Sequence, residues 1–304
     1  MSRYARPMRK RRNAFQSASW LWTPIGGSPT LDANSATWVG YLSAGGKQRI
    51  LNLFDYGVTL IPGSVIPAVD TTTPRYAVVP SNVPAWGSNP FAGNSIPLPA
   101  AAQSLIPPGS DKHVAVLDPV TGNAYGMWSA GYSGGTWSCG WGGMCKLGGN
   151  GVDTSGSATS TALARYAAVV TASELTAAVA ANTGLNHALF CSSDITSSSF
   201  VAPAIRSDGD NVGAVATPIP QGKRIQLDPS VNVDGVSGIT STEKVIAKTL
   251  QTYGAYIGDK GGARLAFMCE YVGGTTPGTP YSNLGLWDYY DMTKIPWASL
   301  RVLA

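Results

Sequence analysis

The sequence predicts a mainly β protein, a β-sandwich of jelly-roll (concanavalin-like) type carrying two short helices. Three observations point there. Only 12% of the 304 residues are charged, while 36 glycines, 21 prolines, 9 tryptophans and 13 tyrosines supply turns and aromatic faces, a composition suited to many short strands. From Lys112 onward, strand-like runs alternate with turn signals, as in "KHVAVLDPVTGNAYGMWSAGYSGGTWSCGWGG". Two segments break that rhythm, and each opens on a helix-start signal.

In chain order, residues 1–35 read as a basic N-terminal arm and docking segment, and residues 36–304 as the sandwich. In "ATWVGYLSAGGKQRILNLFDYGVTLI" the Gly45–Gly46 pair separates two strand-like runs and predicts a hairpin. Residues 81–110, rich in Pro, Asn, Ser and Ala, read as a long surface excursion that is functional or wraps a neighbour. Turns at Asp118–Asn123 and Gly131–Gly135 then divide a β-meander. Thr171 with Glu174, and Thr240 with Glu243, are capping boxes that start helices which Gly184 and Gly254 stop. In the second helix Val245, Ile246, Thr249, Leu250 and Tyr253 share one face. The strand-like "AYIGD", "ARLAFMCEYV" and "WASLRVLA" close the chain, and no internal repeat marks a solenoid or propeller.

Charge is distributed unevenly. Arg3, Arg6, Arg9, Lys10, Arg11 and Arg12 form an arm without an acid, so against a total of +4 the remainder carries −2. A basic arm on a nearly neutral body fits a nucleic acid, an anionic surface or an acidic groove on a partner. Together with Trp20 and Trp22 it is expected to hold the protein in an assembly. No export signal or apolar run of membrane-spanning length is visible, so membrane insertion is not expected.

The four cysteines, Cys139, Cys145, Cys191 and Cys269, lack paired zinc-ligand spacing, and only His113 and His187 are available to complete a site. No metal and no cofactor are expected. Cys139 and Cys145 flank "CGWGGM" and are candidates for a disulfide, with two buried thiols as the alternative.

A catalytic reading centres on His187, Arg206 and Asp208, a histidine followed closely by a cation and a carboxylate. A lyase would use His187 as base, Arg206 on a substrate carboxylate and a tyrosine such as Tyr253 as acid. A glycosidase would need two carboxylates. Capping accounts for Glu174 and Glu243, leaving Glu270, Asp208, Asp210, Asp228 and Asp259, with no spacing that selects a pair. His113 reads as a strand-start residue. No serine-nucleophile elbow, Walker loop or dinucleotide fingerprint is present. The stronger candidates are aromatic: Trp128, Trp137, Trp141 and Tyr132, with Tyr125, form a set that stacks on sugar rings or fills a core.

The order "KHVAVLDPVTGNAYGMW", "WSCGWGG", "TASELTAAVAANTGLNHAL", "FVAPAIRSDG", "IPQGKRIQLDPSV", "TLQTYGAYIGDKGG" and "IPWASLRVL" resembles exported actinobacterial β-sandwich proteins of uncharacterised activity. It also resembles minor tail and other virion proteins of the bacteriophages that infect those hosts. The resemblance spans roughly residues 80–304. It implies a sandwich facing host cell-surface polysaccharide, and the basic arm in place of a signal peptide favours the virion members. The expected function is thus a structural component of an actinobacteriophage virion, a minor tail or tail-tip protein. Its expected partners are other tail proteins, copies of itself and host envelope glycan, with no role for nucleic acid. Synthesis would be in the host cytoplasm. The alternatives are a polysaccharide-degrading enzyme, lyase or glycosidase, and a capsid decoration or head-fibre protein.

Overall fold

The computed structural model describes residues 14–46 and 48–304, so the six arm cations lie outside the described residues. The chain is mainly β, with 18 strands and four α-helices among the described residues. The strands in chain order are β1 (Arg49–Asn52), β2 (Val58–Ile61), β3 (Arg75–Tyr76), β4 (Ile96–Pro97), β5 (His113–Asp118), β6 (Asn123–Trp128), β7 (Gly131–Ser133), β8 (Thr136–Ser138) and β9 (Trp141–Lys146). They continue as β10 (Ser155–Gly156), β11 (Leu189–Ser193), β12 (Thr196–Phe200), β13 (Ile219–Gln221), β14 (Arg224–Leu227), β15 (Ala255–Lys260), β16 (Leu265–Met268), β17 (Tyr290–Asp291) and β18 (Leu300–Val302). The helices are α1 (Ser35–Ser43), α2 (Ala172–Ala181), α3 (Ser241–Thr252) and α4 (Pro280–Asn283).

Two sheets dominate. One has seven strands in the order β17-β1-β16-β11-β15-β14-β18, the other five in the order β10-β9-β6-β5-β2. They face each other across a core that includes Leu60, Leu117 and Ala124 of the smaller sheet and Phe190, Tyr256 and Met268 of the larger. The outer face of the larger sheet is packed by the helices, with Trp38, Leu175, Ile246 and Leu250 against Leu189, Ile257 and Phe267. Pairing is mixed: β1/β16, β2/β5, β11/β15 and β12/β13 run parallel. These ladders depart from the all-antiparallel pairing of a jelly roll.

Both capping boxes form as the sequence predicts. The Glu174 amide donates to Thr171 Oγ1 at 3.2 Å and the Thr171 amide to Glu174 Oε1 at 2.7 Å. Thr240 and Glu243 repeat the exchange at 3.2 and 2.9 Å. The predicted face of α3, from Val245 to Tyr253, is buried. The meander also forms, with β5, β6 and β9 antiparallel. Gly134 and Gly135 take φ of +56° and +80° between β7 and β8, the left-handed pair that a tight hairpin turn requires.

Three expectations are corrected. The predicted hairpin around Gly45–Gly46 is a helix followed by a strand. The run "SATWVGYLS" buries Ser35, Trp38, Val39 and Leu42, at positions i, i+3, i+4 and i+7, and this helical period overrides the apparent alternation. The excursion over 81–110 is a layer on the five-stranded sheet, because Phe91, Ile96, Leu98 and Ala102 bury themselves against Val114, Val116, Tyr125 and Met127. This cover explains why every residue of β5 is buried. The docking segment is also intramolecular. Trp20 packs edge-on to Tyr256 at 5.1 Å and Trp22 edge-on to His187 at 6.1 Å, while Phe15 and Leu21 enter the core between the sheets.

Candidate functional site

The two sheets part at one end to leave a cleft of about 1260 Å³. Ile50, Asn52, Ala266 and Met268 of the seven-stranded sheet form one side. The other side comes from His113 at the start of β5, Trp128 at the end of β6 and Trp141 at the start of β9. Loops bring Trp86, Asp111, Ser157–Ser160, Arg165 and Arg206–Asp208 to the same space, and the end of β15 adds Asp259 and Lys260.

The aromatic wall has a definite geometry. Trp86 stacks on Trp128 with ring centroids 5.8 Å apart and planes 27° apart, and meets Trp141 edge-on at 6.0 Å. Trp86 is 57% exposed, whereas Trp128 is anchored from below by its indole N–H, which donates to Asp111 Oδ1 at 3.2 Å. Gly140 permits the approach of β9, since a Cβ there would lie 2.7 Å from the Trp128 ring. A stacked, anchored and partly exposed aromatic surface of this kind suits the apolar faces of sugar rings.

The floor is polar. Ser160 Oγ donates to Gln221 Oε1 at 2.6 Å, and Gln221 Nε2 donates to Asp208 Oδ1 at 2.9 Å, which orients the Asp208 carboxylate. Asn52 lines the cleft with Oδ1 buried and unbonded. Burial pushes the Asp259 carboxyl up to about 7, with the Asp208 charge adding to the rise and Arg165 opposing it. Asp259 sits on the cleft floor within a shell of protein, so some contact with solvent does not offset the desolvation. Behind the floor, burial likewise pushes fully buried Asp153 to about 7. The His113 imidazole is held well below its ordinary range by burial and by the Arg165 charge.

The catalytic trio does not converge. Arg206 and Asp208 line the cleft, but His187 does not. His187 is buried elsewhere, with Nε2 3.1 Å from Glu174 Oε1 and Nδ1 2.7 Å from the Ala188 carbonyl oxygen. It ties the bend that leads into β11 to the start of α2, a structural task. Glu270 is committed to the same helix start, accepting from the amides of Ser64 and Ala172, and Tyr253 is buried in the core between the sheets.

The aromatic set divides. Trp128 and Trp141 face the cleft, whereas Trp137, 2% exposed, and Tyr125 belong to the core beneath the covering layer, with Tyr132 packed on Trp137 at 5.3 Å. Trp86 and Arg165 were missed. Trp86 lies within the Pro-rich excursion, where its neighbours gave no strand register, and Arg165 lies in "TALARYAAVV", a largely apolar run with no other charged residue. His113 does begin its strand, as predicted.

All four cysteines are free and buried. Cys139 packs under the covering layer and Cys145 in the core between the sheets, on opposite faces of the smaller sheet. The candidate Cys139–Cys145 disulfide is therefore not formed, and the alternative of two buried thiols holds. Among the described residues no three His, Cys, Asp or Glu side chains group as metal ligands, and no helix is long and apolar enough to cross a membrane.

No protein-family model matches the chain, and neither a curated protein nor a solved structure is similar to it.

Proposed function

We propose that the protein binds polysaccharide in the cleft between its sheets. The observation that carries this reading is the wall of Trp86, Trp128 and Trp141 above a floor of oriented hydrogen-bonding groups, in a space large enough for several sugar rings. The architecture is read as a two-sheet sandwich elaborated by helices and a covering layer, in place of the jelly roll.

The setting proposed is the tail or tail tip of an actinobacteriophage virion, where the cleft would meet host envelope glycan. Support for the setting comes from the basic arm and the motif order, and its partners would be other tail proteins and further copies of the chain. Titration calorimetry of the full chain with purified actinobacterial envelope polysaccharide is expected to show saturable binding that is lost on disrupting the tryptophan wall. Absence of binding to any such glycan would remove the reading. Antibody labelling of particles is expected at the tail, and labelling at the head would favour a decoration or fibre protein.

Hydrolysis of the same glycan is a second reading, favoured by one observation. Burial pushes the Asp259 carboxyl up to about 7, so it can hold a proton to donate. It shares the cleft with Asp208, whose carboxylate is oriented by Gln221, which supplies the two carboxyl groups that glycoside hydrolysis needs. New reducing ends on incubation with the glycan would establish it, and their absence with binding intact would reject it.

A further inference from the structure

Among the groups at the cleft, Arg165 stands apart. Its residue is 2% exposed, yet Nε and both terminal nitrogens have no hydrogen-bond acceptor among the described residues. Leaving several buried donors unsatisfied is costly. Arg224, also deeply placed, shows the usual solution by donating to the carbonyls of Tyr253 and Thr23.

The seat of Arg165 is built by other residues. Its guanidinium lies 4.3 Å from the centroid of the Phe190 ring, and that ring has room because Gly258 faces it, where a Cβ would approach to 2.0 Å. Gly126 makes room for the arginine's own stem, since a Cβ there would lie 2.9 Å from that of Arg165. Glycine inside a strand is unfavourable by up to about 1 kcal/mol, so two strands give up stability to hold this cation. Asp259, Asp111 and Asp153 are close enough to act on its charge, but the described residues place none within salt-bridge distance. The guanidinium is thus held firmly at the cleft with its donors unused.

We propose that Arg165 is an anion subsite of the cleft and takes the carboxylate of a uronic-acid residue in an acidic polysaccharide. The inference rests on the glycan reading above. A guanidinium presents parallel N–H donors that match the two oxygens of a carboxylate. The ring of such a sugar would lie toward the tryptophan wall, and Asn52 Oδ1 offers an acceptor for a hydroxyl. A singly charged carboxylate is favoured over a phosphate ester, because Asp111, which acts on the Arg165 charge, and Asp208, which lines the same cleft, repel the larger charge more strongly.

The test is titration calorimetry of the full chain with matched oligosaccharides from actinobacterial envelope glycan, before and after oxidation of primary hydroxyls to carboxylates, and with a phosphorylated counterpart. The oxidised form is expected to bind about tenfold tighter than the neutral one. That preference is expected to vanish in Arg165→Met and to survive in part in Arg165→Lys, while neutral-sugar binding persists and reports that the variants are folded. If Arg165→Met does not fold, Arg165→Lys carries the test, and an undiminished preference for the oxidised form in that variant would assign it to Arg206 or Lys260, which line the same cleft, and overturn the subsite. Equal binding of neutral and oxidised forms would overturn the anion subsite and leave the glycan reading standing. Tighter binding of the phosphorylated form would overturn the carboxylate assignment, and no binding of any form would overturn both readings.

Discussion

Two buried polar clusters stand on the same seven-stranded sheet, and their contrast separates structure from function. Around the start of α2, Glu270 accepts from the amides of Ser64 and Ala172, Glu174 completes a capping box, and His187 has acceptors at both ring nitrogens. At the cleft, Arg165 has no acceptor and Asn52 Oδ1 has no donor among the described residues. The first cluster satisfies itself, as buried polar groups in a scaffold do. The second leaves its groups open toward a space lined with tryptophan, which is the pattern of a site that a ligand completes.

The largest effect that would sharpen this contrast comes from the first cluster. Glu270→Ala strands the Ser64 and Ala172 amides in the interior and is expected to lower unfolding free energy by about 3 kcal/mol or more. Urea titration would read the loss, with glycan affinity per folded molecule unchanged. A change in affinity without a change in stability would break the division of roles.

Next in size is the reverse case at the cleft. Trp86→Ala is expected to weaken glycan binding about tenfold. Because Trp86 is largely exposed, stability should move by no more than about 0.5 kcal/mol. Intrinsic fluorescence titration and thermal melting would separate the two quantities, and equal losses in both would make Trp86 a packing residue.

A smaller effect concerns pH. Unfolded aspartates titrate near 3.8, whereas Asp153 and Asp259 keep their protons to about 7 in the fold. Between those values the native state binds more protons than the unfolded chain. The contribution of these two groups to stability therefore falls as pH rises from about 4 to about 7 and levels off above. Asp153→Asn cannot ionise, so relative to wild type its stability should climb over that window, by at most about 1.4 kcal/mol per unit of pKa difference. A flat difference in urea midpoints between pH 4 and pH 8 would show that Asp153 is not the group that burial perturbs.

The smallest effect is expected from redox conditions. With Cys139 and Cys145 on opposite faces of a sheet, reductant should leave the melting temperature unchanged. Thiol titration in denaturant should find all four cysteines free. A deficit of two thiols would contradict the fold of that loop.

Much of the local structure was legible because it is written in short-range chemistry. The pairs Thr171/Glu174 and Thr240/Glu243 specify helix starts within four residues, and Gly134–Gly135 specifies a turn. Misreadings arose where pattern and packing disagreed. The run at 35–43 alternates in sequence yet is buried at helical spacing, and "CGWGGM" has the composition of a loop yet its Trp141 opens the strand Trp141–Lys146 paired with β6. At the site, Trp128 and Trp141 could be nominated from sequence because the residue type itself carries the chemistry. Trp137, of the same type and spacing, is core.

The sequence by itself determined the β-rich class, the two principal helices and the inventory of groups able to meet a ligand. Only the tertiary structure decided which of them meet. Trp86, Asp111, Trp141, Arg165, Asp208 and Asp259 are scattered along the chain and share the cleft because two sheets and a covering layer converge there. The physical reason lies in the range of the interactions. Caps and turns are settled by neighbours a few residues apart, whereas the face on which a side chain is buried, and whether a buried charge finds a partner, depends on segments that local pattern does not relate.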